Sequence, residues 1–342
     1  MKAVIKILIF LFVIGIIMAV SGFFLGLNIT SLSSFFNDDA SYGEELSYEL
    51  VEEDIEKIVM NLDQRHIHYI LTDEEVLSLT YYAKEDDTWT FDIEDGVFSV
   101  IHKERQGIRN WFNYKYVSKP ILTLTVYVPK TWVIALELST GTGEILIVTE
   151  DQKTFLDVKL VSGTGNVRIS DATMKSLSVT VSTGNVTIND LTVDEEFKVV
   201  TSTGNQNINR MVVSDETTLR SSTGQINVTN LTTDKLTMTN STGRIFINES
   251  SIQNELSAIT STGDVKVSLT TASQFVLRAS TGNVTFSVED LTLYEYALRA
   301  SVGKITFDGS NQGTIYNGGS GSIPVSIIVS TGNVTVERIL YL

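Results

Sequence analysis

The sequence predicts an all-β protein: a parallel β-solenoid (β-helix) of coils of about 20 residues, with an irregular strand-rich N-terminal cap and one preceding transmembrane helix. Three observations lead to this prediction. A Ser-Thr-Gly or related motif recurs every 19 to 21 residues from Gly165 to Gly303. Apolar and polar residues alternate on both sides of each glycine, and the chain begins with a long apolar run.

Each repeat unit is expected to consist of a strand, a glycine corner and a second strand. Around Gly243, for example, Leu236 and Met238 precede the corner, and Ile245 and Ile247 follow it, at alternate positions. This period of two is typical of strands with one buried face. A single unit cannot bury its apolar residues, so the units should stack, each strand pairing in parallel with its copy one coil on.

Glycine is expected at the corners because it adopts a positive φ without steric penalty. The expected corner glycines are Gly165, Gly184, Gly204, Gly224, Gly243, Gly263, Gly282, Gly303 and Gly332. The last interval is 29 residues long, since it contains a glycine-rich insertion at 308–321. Asparagine often follows the glycine, and stacked amides can form ladders.

Residues 4–27 form an almost continuous apolar run, long enough to cross a bilayer of about 30 Å as a helix. Lys2 and Lys6 lie on its N-terminal side, and Asp38 and Asp39 follow it. The positive-inside rule therefore predicts a single-pass protein of the cell membrane, with a cytoplasmic N-terminus and an extracytoplasmic body.

A cleaved signal peptide is the alternative for this segment. Ala19-Val20-Ser21 offers small residues for cleavage before Gly22. The apolar run continues past that point to Leu27, which favours an uncleaved anchor. Either outcome exports the body.

Four regions are expected along the chain. Residues 1–27 form the anchor or signal segment, 28–44 a polar stalk, 45–140 the strand-rich cap and first coils, and 141–342 the repeat solenoid. A cap is expected because the open end of a solenoid must be covered.

The apolar N-terminal segment, the Leu-Thr-Val-Tyr-Val-Pro strand at 124–129 and the repeated Ser-Thr-Gly-Asn-Val-Thr units resemble one known family. It is the bacterial "putative adhesin" domain-of-unknown-function family, the LiaG-like, β-strand-repeat, membrane-anchored envelope proteins. The resemblance covers roughly residues 50–340. It implies a fold and an envelope location, and it carries over no catalytic residues.

Composition excludes several classes of function. The net charge of −16 opposes nucleic acid, because phosphate binding needs clustered lysine and arginine, and it also opposes anionic polymers and lipids. With no cysteine in the chain, thiolate metal sites and cysteine nucleophiles are excluded. We expect no cofactor.

Histidines and acidic clusters are the candidates for chemistry. His66 and His68 share one face of a strand, but a metal site needs further ligands and His102 is the one remaining histidine. Acidic clusters stand at 52–54 and 73–75, and the acidic residues of the repeats are scattered, most of them in turns. Solvated turns explain them, so we expect no catalytic or metal-binding residues.

The segment 109–116 is the most unusual one in the chain because aromatic and basic residues are concentrated in it. One interpretation is an exposed contact surface. The other, which we favour, is that alternate members pack against the cap, because aromatic side chains are usually buried. The candidate contact residues are Arg109, Trp111, Phe112, Tyr114 and Tyr116.

Two functions remain. The first is a non-catalytic protein that acts by binding, in adhesion, envelope interaction or envelope-stress signalling, with a surface protein or polysaccharide as partner. The second is a carbohydrate-active β-helix enzyme acting on an extracellular polysaccharide. A concave groove with clustered carboxylates and aromatics would favour the enzyme, whereas a smooth prism covered by side-chain ladders would favour binding.

Overall fold

The computed structural model describes residues 38–50, 55–104 and 116–339. The predicted transmembrane helix of residues 4–27 lies outside this part. Within the described residues, no helix is long and apolar enough to cross a membrane.

The described chain is all-β, and its strands join into one continuous sheet. The strands of the N-terminal part are β1 (Leu46–Leu50), β2 (Lys57–Leu62), β3 (His66–Thr72), β4 (Leu77–Tyr81), β5 (Thr88–Glu94), β6 (Val97–Lys103), β7 (Thr123–Pro129) and β8 (Ala135–Thr142). The strands of the repeats are β9 (Ile145–Thr164), β10 (Val167–Thr183), β11 (Val186–Val193), β12 (Phe197–Thr203), β13 (Gln206–Val213), β14 (Glu216–Thr223), β15 (Ile226–Thr233), β16 (Lys235–Thr242), β17 (Ile245–Asn248), β18 (Ser251–Ile252), β19 (Glu255–Thr262), β20 (Val265–Ser268), β21 (Gln274–Thr281) and β22 (Val284–Val288). The C-terminal strands are β23 (Tyr294–Val302), β24 (Ile305–Phe307), β25 (Ser310–Asn311), β26 (Ile315–Gly318), β27 (Ile323–Thr331) and β28 (Val334–Arg338), and 3-10 turns lie at Asp39–Ser41 and Leu291–Leu293.

Each coil has three short faces. Face A is the strand before the corner glycine, such as β12. Face B is the stretch after the glycine, and face C follows a bend at a residue with positive φ, such as Arg210 in β13 (φ 50°). From β10 onward, parallel pairing repeats from coil to coil without a shift, for example Val186 with Gln206 and Gln206 with Ile226, whereas the register between β9 and β10 shifts between Ser170 and Ala172. The predicted solenoid is therefore confirmed.

The core runs through the centre of the coils. Because the register is constant, an inward residue stacks on an inward residue, as Phe197 does on Leu177. Both are buried, and so are Ile188, Ile247 and Phe286 on face B. One apolar core therefore extends along the solenoid axis.

Gln206 is the polar exception in the inward column of face B. Its side chain is fully buried, and its amide nitrogen donates to Thr201 Oγ1 (3.1 Å) and to the carbonyl of Arg220 (2.6 Å). Its Oε1 has no hydrogen-bond partner among the described residues. A buried acceptor of this kind costs about 1–3 kcal/mol.

We expect the double variant T201V/Q206I to raise the free energy of unfolding by about 1 kcal/mol, because it removes both buried polar groups and restores the apolar pattern. Urea denaturation measures this free energy of unfolding. Q206A is the control, since it removes the amide but leaves a cavity and the Thr201 hydroxyl, and should destabilise. A double variant less stable than the wild type would show that the Gln206 amide is net stabilising.

The order of coils at the C-terminal end differs from the order in sequence. Strand β27 pairs in parallel with both β21 and β23, and β28 pairs with both β22 and β24. The last segment of the described chain is thus inserted between the coil of β21 and β22 and the outermost coil. The sequence predicted that each strand pairs with its copy in the next coil along the chain. This prediction does not hold at the C-terminal end, because the chain first forms the outermost coil and then returns to fill the position beneath it. Antiparallel β26 and β25 cover the outer edges of β23 and β24.

The N-terminal end has the same arrangement. Strand β2 lies between β6 and β8, and β3 lies between β7 and β9. The outermost strands β6 and β7 are covered by antiparallel β5 and β4. Both ends of the sheet are therefore closed by antiparallel strands, which protects the edges from pairing with other chains.

The described part of the expected stalk is packed against the cap. Tyr42 is buried, and the backbone N–H of Asp38 donates to the carbonyl of Tyr116 (2.8 Å). The ammonium of Lys84 pairs with Asp38 at 3.0 Å, and Asp39 accepts from the N–H of Ser118 at 2.6 Å. Residues 38–42 are therefore part of the folded body.

Candidate functional site

The corner glycines form one column in which successive backbones touch. Gly184 has a φ of +147°, and a Cβ atom on it would lie 2.0 Å from the carbonyl oxygen of Gly165. Its N–H donates to the carbonyl of Thr203 in the next coil (2.9 Å). The corner therefore requires glycine for two reasons, the backbone angle and the close approach of the neighbouring coil.

The asparagines after the glycines support the same corner. Oδ1 of Asn166 accepts from the N–H of Asn185 (2.9 Å), and Oδ1 of Asn185 accepts from the N–H of Asn205 (2.9 Å). The ladder reappears where Asn283 Oδ1 accepts from the N–H of Asn333 (3.0 Å). These repeated amides are structural, because their oxygens satisfy backbone donors that the corner leaves unpaired.

Several of the outward columns on faces A and B consist of short polar residues. On face B, Asn227 Nδ2 donates to Asn207 Oδ1 (2.9 Å) one coil away. At the bend, Arg210 makes two hydrogen bonds of 2.6 Å to Asp190, which lower the pKa of that carboxyl group. This pair is exposed and contributes little to stability. The columns present like groups at regular intervals along the solenoid.

One concave cavity interrupts the columns near the C-terminal end. It has a volume of about 680 Å³ and lies where the bend of several coils meets the 3-10 turn Leu291–Leu293. Glu249, Asp290, Leu293 and Tyr294 are among its lining residues. The N–H and the hydroxyl of Thr292 donate to Asp290 and hold its pKa below the ordinary value. Asp290 is therefore ionised at neutral pH and is not suited to act as a general acid.

The predicted contact surface lies mostly outside the described residues. Arg109, Trp111, Phe112 and Tyr114 belong to the undescribed segment 105–115. Tyr116 is described and is 64% exposed. The two interpretations of this segment stay predictions.

His66 and His68 lie side by side on β3, as the alternation predicts, and both are partly buried. Nδ1 of His66 accepts from the N–H of Glu144 (2.9 Å). Burial and then the Lys119 ammonium lower the pKa of both histidines, so both are neutral at pH 7. No group of three or more potential ligands among the described residues is placed to hold a metal.

A buried ion pair in the cap was not apparent from the sequence. The guanidinium of Arg65 donates to Asp87 Oδ2 at 2.6 Å, and both side chains are 1% exposed. Burial opposes ionisation of Asp87, but His102, the N–H of Lys84 and Arg65 together hold its pKa below the ordinary value. Strand pairing brings these residues together from three separate segments. The Arg65–Asp87 pair is buried within the cap, and Asp87 also borders a concavity lined by Glu85, Asp86 and Lys103.

Comparison with known proteins identifies a family and also finds solved structures of low overall similarity. The model of the family Toastrack DUF4097 matches residues 55–337. A crystal structure of a "putative adhesin" from Bacteroides fragilis NCTC 9343 is 12% identical, with a TM-score of 0.40, and covers 87% of this chain and 99% of that chain. A "putative cell adhesion protein" from Clostridium sporogenes ATCC 15579 is 13% identical, with a TM-score of 0.29, and the match covers 86% of this chain and 99% of that chain. A "putative lipid binding protein" from Parabacteroides distasonis ATCC 8503 is 13% identical, with a TM-score of 0.39 and coverage of 87% and 98%. A search of curated proteins found no match.

Proposed function

Since the chain belongs to the Toastrack DUF4097 family, whose match spans the whole described solenoid, we propose that it is a non-catalytic binding protein of the cell envelope. Residues 4–27 anchor it in the cytoplasmic membrane, and the body projects outside. Its partners are an envelope or surface protein or a polysaccharide, in adhesion, envelope interaction or envelope-stress signalling.

The column arrangement of the outward side chains carries this proposal. Catalysis needs unlike groups that converge at one place. Several outward columns of the coils instead hold like groups, such as the serines two positions before the corner glycines, repeated about every 4.8 Å along the axis. Such rows suit many weak contacts whose combined strength grows with the number of sites engaged.

The packed segment 38–42 supports an orientation for the body. The chain between Leu27 and Asp38 spans at most about 40 Å even when it is fully extended. Because Asp38 is held against Lys84 and Tyr116, the N-terminal cap lies close to the membrane. The later coils, with their polar columns, then extend away from the bilayer.

A deletion of two repeats tests the binding function. We expect the full-length chain lacking residues 204–242 to fold, because Thr203 then joins Gly243 and the coil pattern is kept. Its binding to isolated cell envelopes, measured by co-sedimentation, should weaken about tenfold rather than vanish, since fewer sites are engaged. No reducing sugar ends should be released by either protein.

The cavity favours the alternative of a carbohydrate-active enzyme. It places the carboxylates of Glu249 and Asp290 and the ring of Tyr294 around one concave space. E249Q and D290N should leave envelope binding unchanged if the protein acts by binding alone. Release of reducing ends by the wild type that is lost in either variant, with the fold intact by circular dichroism, would establish the enzyme and reject the binding proposal.

A further inference from the structure

Three arginines occupy one outward column of face A. Arg220, Arg278 and Arg299 each stand four residues before a corner glycine, and all three side chains are exposed. Other arginines of the described chain, such as Arg65 and Arg210, are paired with carboxylates. Within the described residues, the three in this column form no ion pair.

The register gives the order along the column. From Arg220 on β14 it passes through Thr239 and Ile259 to Arg278 on β21, because β16 and β19 lie between. At about 4.8 Å per strand, these two arginines are about 14 Å apart. The inserted strand β27 then places Ile328 between Arg278 and Arg299, so this second spacing is about 10 Å. Without the insertion, the two guanidinium groups would be direct neighbours.

Face A carries no carboxylate around this column. In β14, β16, β19, β21, β27 and β23, the outward residues two, four and six positions before the glycine include no aspartate or glutamate. The acidic residues of these strands stand at their beginnings, as Glu216 does beside Lys235 (3.8 Å). Glu216, Glu255 and Glu295 stand eight positions before the glycine, so in this chain of net charge −16 the positive region of face A is confined to the three columns nearer the corner. Net charge alone had predicted repulsion of anionic polymers, and the distribution of charge revises that expectation for this face.

A column of serines runs beside the arginines. It stands two residues further along each strand, next to the glycine corner, and all of its members are exposed: Ser222, Ser241, Ser261, Ser280, Ser330 and Ser301. A hydroxyl group both donates and accepts hydrogen bonds. The face therefore combines separated cations, apolar side chains between them and a continuous row of hydroxyls.

Resting on the proposed binding function, we propose that this face binds a linear acidic polysaccharide that lies along the solenoid axis. Its carboxylates pair with the guanidinium groups, which bind planar anions through two parallel hydrogen bonds. Ile259 and Ile328 contact the apolar faces of the sugar rings, and the serine column meets their hydroxyls.

Single-stranded nucleic acid fits less well because it needs aromatic stacking, and the outward positions of these six strands hold no aromatic side chain. A membrane fits less well because the column runs along the solenoid axis, which extends away from the N-terminal cap and therefore away from the bilayer.

The test uses the full-length chain in detergent micelles and polygalacturonate as the probe. We expect R220Q/R278Q/R299Q to raise the apparent Kd at least tenfold, because three exposed charge-assisted contacts are lost. The matched control, R244Q/K266Q/K304Q, removes three exposed positive charges away from face A and should change the Kd less than twofold. Methyl-esterified polygalacturonate should not bind, and circular dichroism should be unchanged in both variants.

Equal weakening by the two triple variants would overturn the proposal, because it would show an effect of net charge alone. Tighter binding of polyphosphate or of phosphatidylglycerol vesicles than of polygalacturonate would also overturn it. If polygalacturonate does not bind while envelope binding still falls on deletion of residues 204–242, this inference fails and the proposed function stands. Absence of envelope binding in the wild type would reject the proposed function itself.

Discussion

Replacing Gly243 by valine is expected to prevent stable folding of the repeat region. Gly243 has a φ of +135°, and a Cβ atom there would lie 1.8 Å from the carbonyl oxygen of Gly224. The strained backbone alone costs about 1–3 kcal/mol for a residue with a side chain. The overlap adds a larger cost, because the obstacle is backbone that is fixed by pairing with the coils on both sides. Thermal unfolding followed by circular dichroism should show loss of most of the native transition.

Two other glycines separate the causes of this effect. Gly309 also has a positive φ (+78°) but no neighbouring atom within 4 Å of the Cβ position, so G309V should show backbone strain alone. Gly43 has open space and no positive φ, so G43V should be close to neutral. If G243V were no worse than G309V, the close approach of the coils would not be the reason for glycine at the corners.

The central coils were predictable from sequence because their pattern is local. A constant spacing of corner glycines, with inward residues at alternate positions, determines which residues stack, as for Ile226 and Ile245. Gln206 broke the apolar pattern, and its buried hydrogen bonds could not be deduced because they depend on the carbonyl of Arg220 in the next coil. The local sequence pattern thus predicts the coil, but it does not predict the hydrogen bonds that satisfy a buried polar residue such as Gln206.

The two ends were not predictable by the same reasoning. Gly332 packs on Gly282, 50 residues earlier, and Gly303 packs on Gly332, so the order in space departs from the order in sequence. Only the long interval before Gly332 indicated a change. The arginine column depends on this insertion, because Ile328 separates Arg278 from Arg299 only when β27 lies between their strands. The segment with Trp111, the most unusual one in sequence, is outside the described residues and stays a prediction.

Removing residues 323–342 is expected to unfold the C-terminal end as far back as β23. This segment supplies β27 and β28, whose Val325, Ile327 and Val334 are buried between two coils. Burying one such side chain contributes about 1.5–3 kcal/mol. Without this segment, the outermost coil therefore loses several kcal/mol of hydrophobic stabilisation together with its parallel strand partners. The edges of β21 and β22 then become open parallel edges, which promote association with other chains.

Deleting residues 205–224 is the matched control, because it removes the same length of chain as one interior coil and joins Gly204 to Gln225. Repeat proteins tolerate such a loss as a graded fall in stability, since each coil contacts only its neighbours. Hydrogen exchange should therefore show fast exchange over residues 289–322 in the truncated chain and protection of the same residues in the control. Aggregation should rise in the truncated chain alone. Equal protection of residues 289–322 in both proteins would mean that the outermost coil packs on β21 directly, and that the inserted segment is not what holds the end of the solenoid together.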